Sequence, residues 1–240
     1  MKLVVVSAGL SVPSSTRLLG DRLAAAVVGR APAAAPAEVE VVELRDLAVE
    51  IAHNLTTGFP GPALGAALSA VAGADGLIVV TPVFSASYSG LFKSFFDVLE
   101  RDALVGKPVL VAATGGSARH SLVLEHAMRP LFAYLRAVVV PTGVYAASED
   151  WGAEGLAERI ERAAGELVAL VGIGGAVPGP APGPVPGPSA RKESVRVGGF
   201  DVVPFAEQLA AGRVAPGAGR PGVDSPARVG GSLSRSSPRP

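Results

Sequence analysis

An apolar run, Leu3-Val4-Val5-Val6, ends abruptly in Ser7-Ala8-Gly9-Leu10-Ser11-Val12-Pro13-Ser14-Ser15-Thr16-Arg17, and a helical pattern follows at once. A strand apolar on both faces, a hydroxyl-rich loop and a helix start point to a parallel sheet with crossover helices. The same order of elements predicts an anion site. The first turn of a helix carries N–H groups without intrahelical partners and the positive end of the helix dipole. Ser11, Ser14, Ser15 and Thr16 can add side-chain donors, Pro13 stiffens the loop, and Gly9 allows close backbone approach. The loop has neither the Gly-x-Gly-x-x-Gly of dinucleotide folds nor the Gly-Lys-Ser/Thr ending of a P-loop. Its hydroxyls suit a phosphate monoester better than a pyrophosphate. The competing reading makes Ser14 or Ser15 an ordinary helix N-cap.

Strand and helix signals then alternate along the chain. Strands are expected at Lys2–Val6, Val39–Leu44, Gly76–Thr81, Pro108–Ala113 and Ala137–Val144, the last broken by Pro141 and Gly143. Helices are expected at Ser15–Val28, Leu64–Val71, Gly90–Arg101, Ser121–Leu135 and Ala153–Val171, with residues 45–62 mostly irregular. Five strands in this order predict an α/β, flavodoxin-like doubly wound parallel sheet, order 2-1-3-4-5, with helices on both faces. Ligands of such sheets sit beyond the carboxyl ends of the strands at the switch point, here the first and third strands. The loops 7–17, 81–90 and 114–120 all fall at those ends and would converge.

Each of the two later loops has its own chemistry. In Thr81-Pro-Val-Phe-Ser-Ala-Ser-Tyr-Ser-Gly-Leu-Phe-Lys93, Pro82 ends the strand, and Val83 and Phe84 would lie against an aromatic ring system. Tyr88 offers a flat face or a hydroxyl, and Ser89 begins the next helix. The competing readings are a core-capping Tyr88, an N-cap Ser89 and a solvated Lys93. In Thr114-Gly-Gly-Ser-Ala-Arg-His120, Gly115 and Gly116 would let backbone N–H groups face the carbonyl oxygens of a planar ligand such as a flavin. Arg119 can attract the phosphates of a nicotinamide cofactor or simply face solvent, and His120 is expected at a solvated helix start.

Composition excludes several classes. Lys+Arg and Asp+Glu are both 21 in 240 residues, so charge favours no nucleic-acid partner. There are no cysteines, which removes disulfides and thiolate chemistry. The three histidines have no ligand-like spacing, so no metal centre is expected. The N-terminal apolar run is too short for a signal sequence or membrane span, and the expectation is a cytoplasmic protein. Residues 1–172 carry 13 basic and 17 acidic side chains, whereas 173–240 carry 8 and 4. The domain is accordingly read as 1–172, followed by a Pro/Gly-rich linker (173–198), a candidate docking segment (199–211) and a disordered tail (212–240).

Together, Ser14-Ser15-Thr16, the segment Thr81–Lys93 and Ala113-Thr-Gly-Gly-Ser-Ala-Arg-His120, leading into Ala127-Met-Arg-Pro-Leu-Phe132, resemble the NAD(P)H-dependent FMN reductases. The likeness runs from residue 1 to about 171. It includes the sulfonate-utilisation type, and is strongest to an actinobacterial branch associated with luciferase-like monooxygenases. Asp201–Leu209 looks like that branch's C-terminal element, and Phe84 stands where relatives often have tyrosine. The resemblance implies FMN and NAD(P)H as cofactors, with hydride passing from nicotinamide C4 to flavin N5. It implies a homodimer or homotetramer with the 81–95 region near a subunit interface, and a flavin-dependent monooxygenase as partner. The expected FMN-binding residues are Ser7, Ser11, Ser14, Ser15, Thr16, Pro82, Val83, Phe84, Tyr88, Ser89, Thr114, Gly115 and Gly116, with no catalytic acid, base or nucleophile. The alternatives are an FMN-containing quinone or azo-dye reductase and a flavodoxin-type electron carrier. Near-neutral charge and only 5% aromatic residues weigh against the carrier.

Overall fold

The computed structural model describes residues 1–174. The linker, docking segment and tail read from 173 onward lie outside the described residues, except for the two positions that end the last helix. In chain order the elements are β1 (Lys2–Ser7), α1 (Ser15–Arg30), β2 (Glu38–Glu43), α2 (Ala48–Thr57), α3 (Pro62–Ala72), β3 (Gly76–Phe84), β4 (Ser87–Tyr88), α4 (Gly90–Asp97), β5 (Pro108–Gly115), α5 (Arg129–Tyr134), β6 (Val138–Val139), β7 (Val144–Ala147) and α6 (Glu154–Gly174). The strands lie in the order β2-β1-β3-β5, and both β6 and β7 run parallel against β5. This is the expected 2-1-3-4-5 order with its fifth strand cut in two. β4 brings the count to seven by pairing antiparallel with β3.

Alternation along the central strands assigns the two layers. Val4 and Val6 of β1 and Leu77 and Val79 of β3 share one core with Ile51, Leu64, Phe92 and Phe132. Leu3, Val5, Ile78 and Val80 face the other, with Leu19 and Leu23 of α1 and Ile160 and Leu167 of α6. Side chains that point to both faces explain why β1, β3 and β5 are near-continuous apolar runs. In the first layer Phe96 meets Phe92 at 4.8 Å and Phe132 at 5.0 Å between ring centroids. These aromatic contacts anchor α4 to α5 beneath the loops that follow β3 and β5.

Several local expectations need correction. Residues 45–62 are not mostly irregular: a 3₁₀ turn over Leu44–Leu47 leads into α2, which ends at Gly58 with φ 79°. Only Ile51 and Asn54 of α2 are buried, so its apolar stripe is too narrow to show as a helical period, and Gly58, Pro60 and Gly61 mask the rest. The single helix expected over Ser121–Leu135 is a π-helical turn, Leu124–Met128, followed by α5. Pro130 has no N–H to continue an i→i−4 ladder, and the Arg129 N–H bonds back to the Leu124 carbonyl five residues away. The fifth strand is interrupted around Pro141 and Gly143, but its second piece reaches Ala147. β3 continues through Pro82 to Phe84, and the helix after it stops at Asp97 rather than Arg101. No described helix is long and apolar enough to cross a membrane.

Candidate functional site

Strand register brings the loops together. Ser7 pairs with Val80, and Pro82 pairs with Thr114, so β1, β3 and β5 end side by side. Beyond those ends lies a cavity of about 410 Å³. Ser11, Ser14, Ser15 and Thr16 line one side, Pro82, Val83 and Phe84 another, and Thr114, Gly115 and Gly116 a third. Ten of the thirteen expected residues therefore meet in one place.

The loop after β1 is held from several directions. The Ser14 hydroxyl accepts the Arg17 N–H at 3.2 Å, so the N-cap reading is correct for this residue. Its oxygen also lies 2.1 Å from where a Cβ on Gly9 would be, which explains why that position takes glycine. Leu18 makes the first backbone bond of the helix, to the Ser14 carbonyl. The Ser15 and Thr16 N–H groups precede it and lack intrahelical acceptors. α1 has no acidic residue in its first turn, and Arg17 is engaged with Asp21 and Glu43. Those carboxylates raise its pKa above the ordinary arginine value, the Asp21 hydrogen bond first, against an opposing effect of burial. Arg45 donates to the Ser11 carbonyl at 3.3 Å and reaches Glu43 at 3.5 Å.

Thr16 and Thr114 join the first and third walls through a buried 2.8 Å hydrogen bond between their hydroxyls. Gly115 and Gly116 begin the loop after β5, which β7 and its following turn hold in place. The Tyr145 hydroxyl donates to the Ser117 carbonyl at 2.7 Å, and the Ala118 N–H donates to Glu149 at 3.3 Å. Burial raises the Tyr145 pKa, and the Glu149 and Asp150 carboxylates add to the shift. A Cβ on Gly115 would sit 2.0 Å from the Tyr145 oxygen, so a side chain there would push Tyr145 off the Ser117 carbonyl or displace the loop. Gly116 has open space around it.

Three expected residues do not line the cavity. Ser7, the last residue of β1, is fully buried. Tyr88 packs against Phe92 with centroids 5.7 Å apart. Ser89 is buried, accepts the Phe92 N–H at 3.1 Å and gives its own N–H to the Thr81 hydroxyl at 3.0 Å. Its work is to cap α4. Lys93 pairs with Asp97 one turn along that helix. Arg119 and His120 are exposed on a 3₁₀ turn past Gly116.

Four lining residues were not anticipated: Leu10, Ala146, Ser148 and Trp151. Trp151 is held from behind by the Arg22 guanidinium, 5.2 Å from its ring centroid. The carboxyl-end rule that marks the other loops would have found Ala146, Ser148 and Trp151 had the last strand been extended to Ala147. The arrangement as a whole combines a helix start and hydroxyls for an anion, an apolar wall for a ring, and glycine backbone for a planar polar edge. Among the described residues no cluster of His, Cys, Asp and Glu could hold a metal ion.

This donor set fits a flavin phosphate, and comparison with known proteins leads to the same group. A protein from Pseudomonas aeruginosa named FMN reductase (NADPH) is 39% identical over 176 residues, covering 71% of this chain and 92% of that protein. An NADH-dependent FMN reductase, SfnF, from Pseudomonas fluorescens is 41% identical over 177 residues, covering 72% and 92%. Among solved structures, an oxidoreductase from Corynebacterium diphtheriae superposes with a TM-score of 0.70 at 50% identity, over 72% of this chain and 97% of that one. The family model described as NADPH-dependent FMN reductase matches residues 1–152, and the chain belongs to that family.

Proposed function

We propose that this NAD(P)H-dependent FMN reductase binds FMN in the cavity beyond β1, β3 and β5 and releases it reduced, as a substrate rather than a fixed prosthetic group. The observation that carries the reading is the meeting of a hydroxyl-lined helix start, an apolar wall and a glycine loop in one cavity. Ser11, Ser14, Ser15 and Thr16, with the first-turn N–H groups of α1, hold the phosphate. Pro82, Val83 and Phe84 support the flavin ring, and the backbone of Gly115 and Gly116 faces its pyrimidine edge. When bound, the flavin supplies the hydride acceptor and the nicotinamide the donor. The protein's own contribution is to stack the two rings and to set polar groups where negative charge develops. No side chain is assigned as acid, base or nucleophile.

Exchange of flavin is supported by the openness of the cavity rim on the side of the first loop, where Leu10 is 51% exposed. A flavin released in this way would be consumed by a flavin-dependent monooxygenase. We place the protein in the cytoplasm, with the nicotinamide pool, as a homodimer or homotetramer. The test is steady-state oxidation of NADH and NADPH with and without added FMN. Turnover that rises and saturates with FMN is expected. A yellow protein that needs no added FMN but requires a quinone or azo dye overturns the substrate reading. Trp151, the only tryptophan, lines the cavity, so FMN titration is expected to quench its fluorescence.

A further inference from the structure

The described residues contain one buried side-chain polar atom without a hydrogen-bond partner, the Ser7 hydroxyl oxygen. Its residue is 0% exposed. A buried hydroxyl with no partner is unfavourable, and its retention calls for a cause. Position supplies one. Leu3 and Val5 of β1 point into the α1–α6 layer, and strand alternation directs Ser7 to the same face. As the last residue of β1 it leads directly into the arch formed by residues 8–14, which ends at the N-cap of α1. The arch is tight, since Ser14 fills the space a Gly9 side chain would need. The other buried hydroxyls of this face, Thr16 and Thr114, hydrogen-bond to each other and leave Ser7 apart.

We infer that Ser7 is a donor kept unpaired until a phosphate occupies the arch, and that it makes the site selective for phosphorylated flavin over riboflavin. This rests on the placement of the FMN phosphate at the start of α1. Ser7 does not itself line the cavity, so the seated anion reaches its proton through a water that a phosphate oxygen orders. The hydroxyl is thus unfavourable in the free protein and favourable in the complex. A residue kept only for folding would behave in the opposite way.

The experiment compares Ser7→Ala with the wild-type chain, using FMN and riboflavin titrations followed by Trp151 fluorescence, and thermal melting without flavin. Ser7→Ala is expected to raise the FMN dissociation constant about tenfold, the size of one hydrogen bond to a charged group. The riboflavin constant is expected to stay within about twofold, and the flavin-free melting temperature to hold or rise. An unchanged FMN-to-riboflavin ratio overturns the inference, as does a lowered flavin-free melting temperature. Ser15→Ala, at the exposed first residue of α1 beside the arch, separates the two levels of argument. If Ser15→Ala lowers the preference for FMN and Ser7→Ala does not, only the role of Ser7 fails. If neither does, the phosphate placement fails with it.

Discussion

At the residue scale, single atoms decide what the cavity can hold. Gly115 sits where any Cβ would meet the Tyr145 hydroxyl, and that hydroxyl fastens the Ser117 carbonyl. Gly115→Ala is therefore expected to displace the loop and weaken FMN binding by about tenfold or more, read by Trp151 quenching. Adding Tyr145→Phe removes the clashing oxygen, so the double variant is expected to bind FMN better than the two single losses would predict. Tyr145 also carries a pH signature. Its pKa is raised in the folded chain by burial, then by Glu149 and Asp150, so the folded protein keeps a proton that the unfolded chain loses first. The associated stability is complete below about pH 10 and is lost as pH rises through the folded value. Urea midpoints of the wild-type chain are expected to fall more steeply above that pH than those of Tyr145→Phe.

At the scale of elements, the hairpin joining β3 and β4 stands out. Its two-residue loop, Ser85-Ala86, has φ of 47° and 66°, the left-handed region that a tight hairpin of this length demands. Neither residue is the glycine or asparagine that adopts it easily. Ala86→Gly is expected to stabilise the protein by about 1 kcal/mol, a rise of roughly 2–4 °C in Tm by calorimetry. A lower Tm would mean that the alanine makes contacts worth more than the backbone strain. The hairpin also shows where local sequence reading stops. The sequence places the loop that opens at Pro82 beyond the end of a strand, yet no hydrophobic period marks a two-residue strand. The turn that aims Phe84 was invisible because Ser-Ala is not turn chemistry. The π-helical turn before α5 is a similar case: Pro130 signals an interruption but not the form it takes.

At the scale of the molecule, the described residues that line the cavity all fall between Leu10 and Trp151. The solved Corynebacterium diphtheriae structure corresponds over 97% of its length to 72% of this chain. A chain ending at Gly174 is therefore expected to fold, to bind FMN within about twofold of the full protein's affinity, and to oxidise NAD(P)H with added FMN. Loss of folding or of FMN binding in that shortened chain would assign part of the site to residues after 174. Circular dichroism and the Trp151 titration separate those two failures.

The layer order is legible in the amino-acid order alone, because β1, β3 and β5 are apolar on both faces and the helices between them force parallel connections. The carboxyl-end rule then collected Ser11–Thr16, Pro82–Phe84 and Thr114–Gly116 into one place from order alone. Three matters waited for the tertiary structure. Trp151 and Ser148 joined the cavity only because β7 pairs with β5 as far as Ala147, a long-range register that no local pattern encodes. Tyr88 and Ser89 left it because Phe92 and the start of α4 claimed them. Ser7 became informative only through the absence of a partner for its hydroxyl, which depends on what all the surrounding elements bring to that point. Periodicity reports which face of an element is apolar; hydrogen-bond satisfaction and register belong to the assembled neighbours.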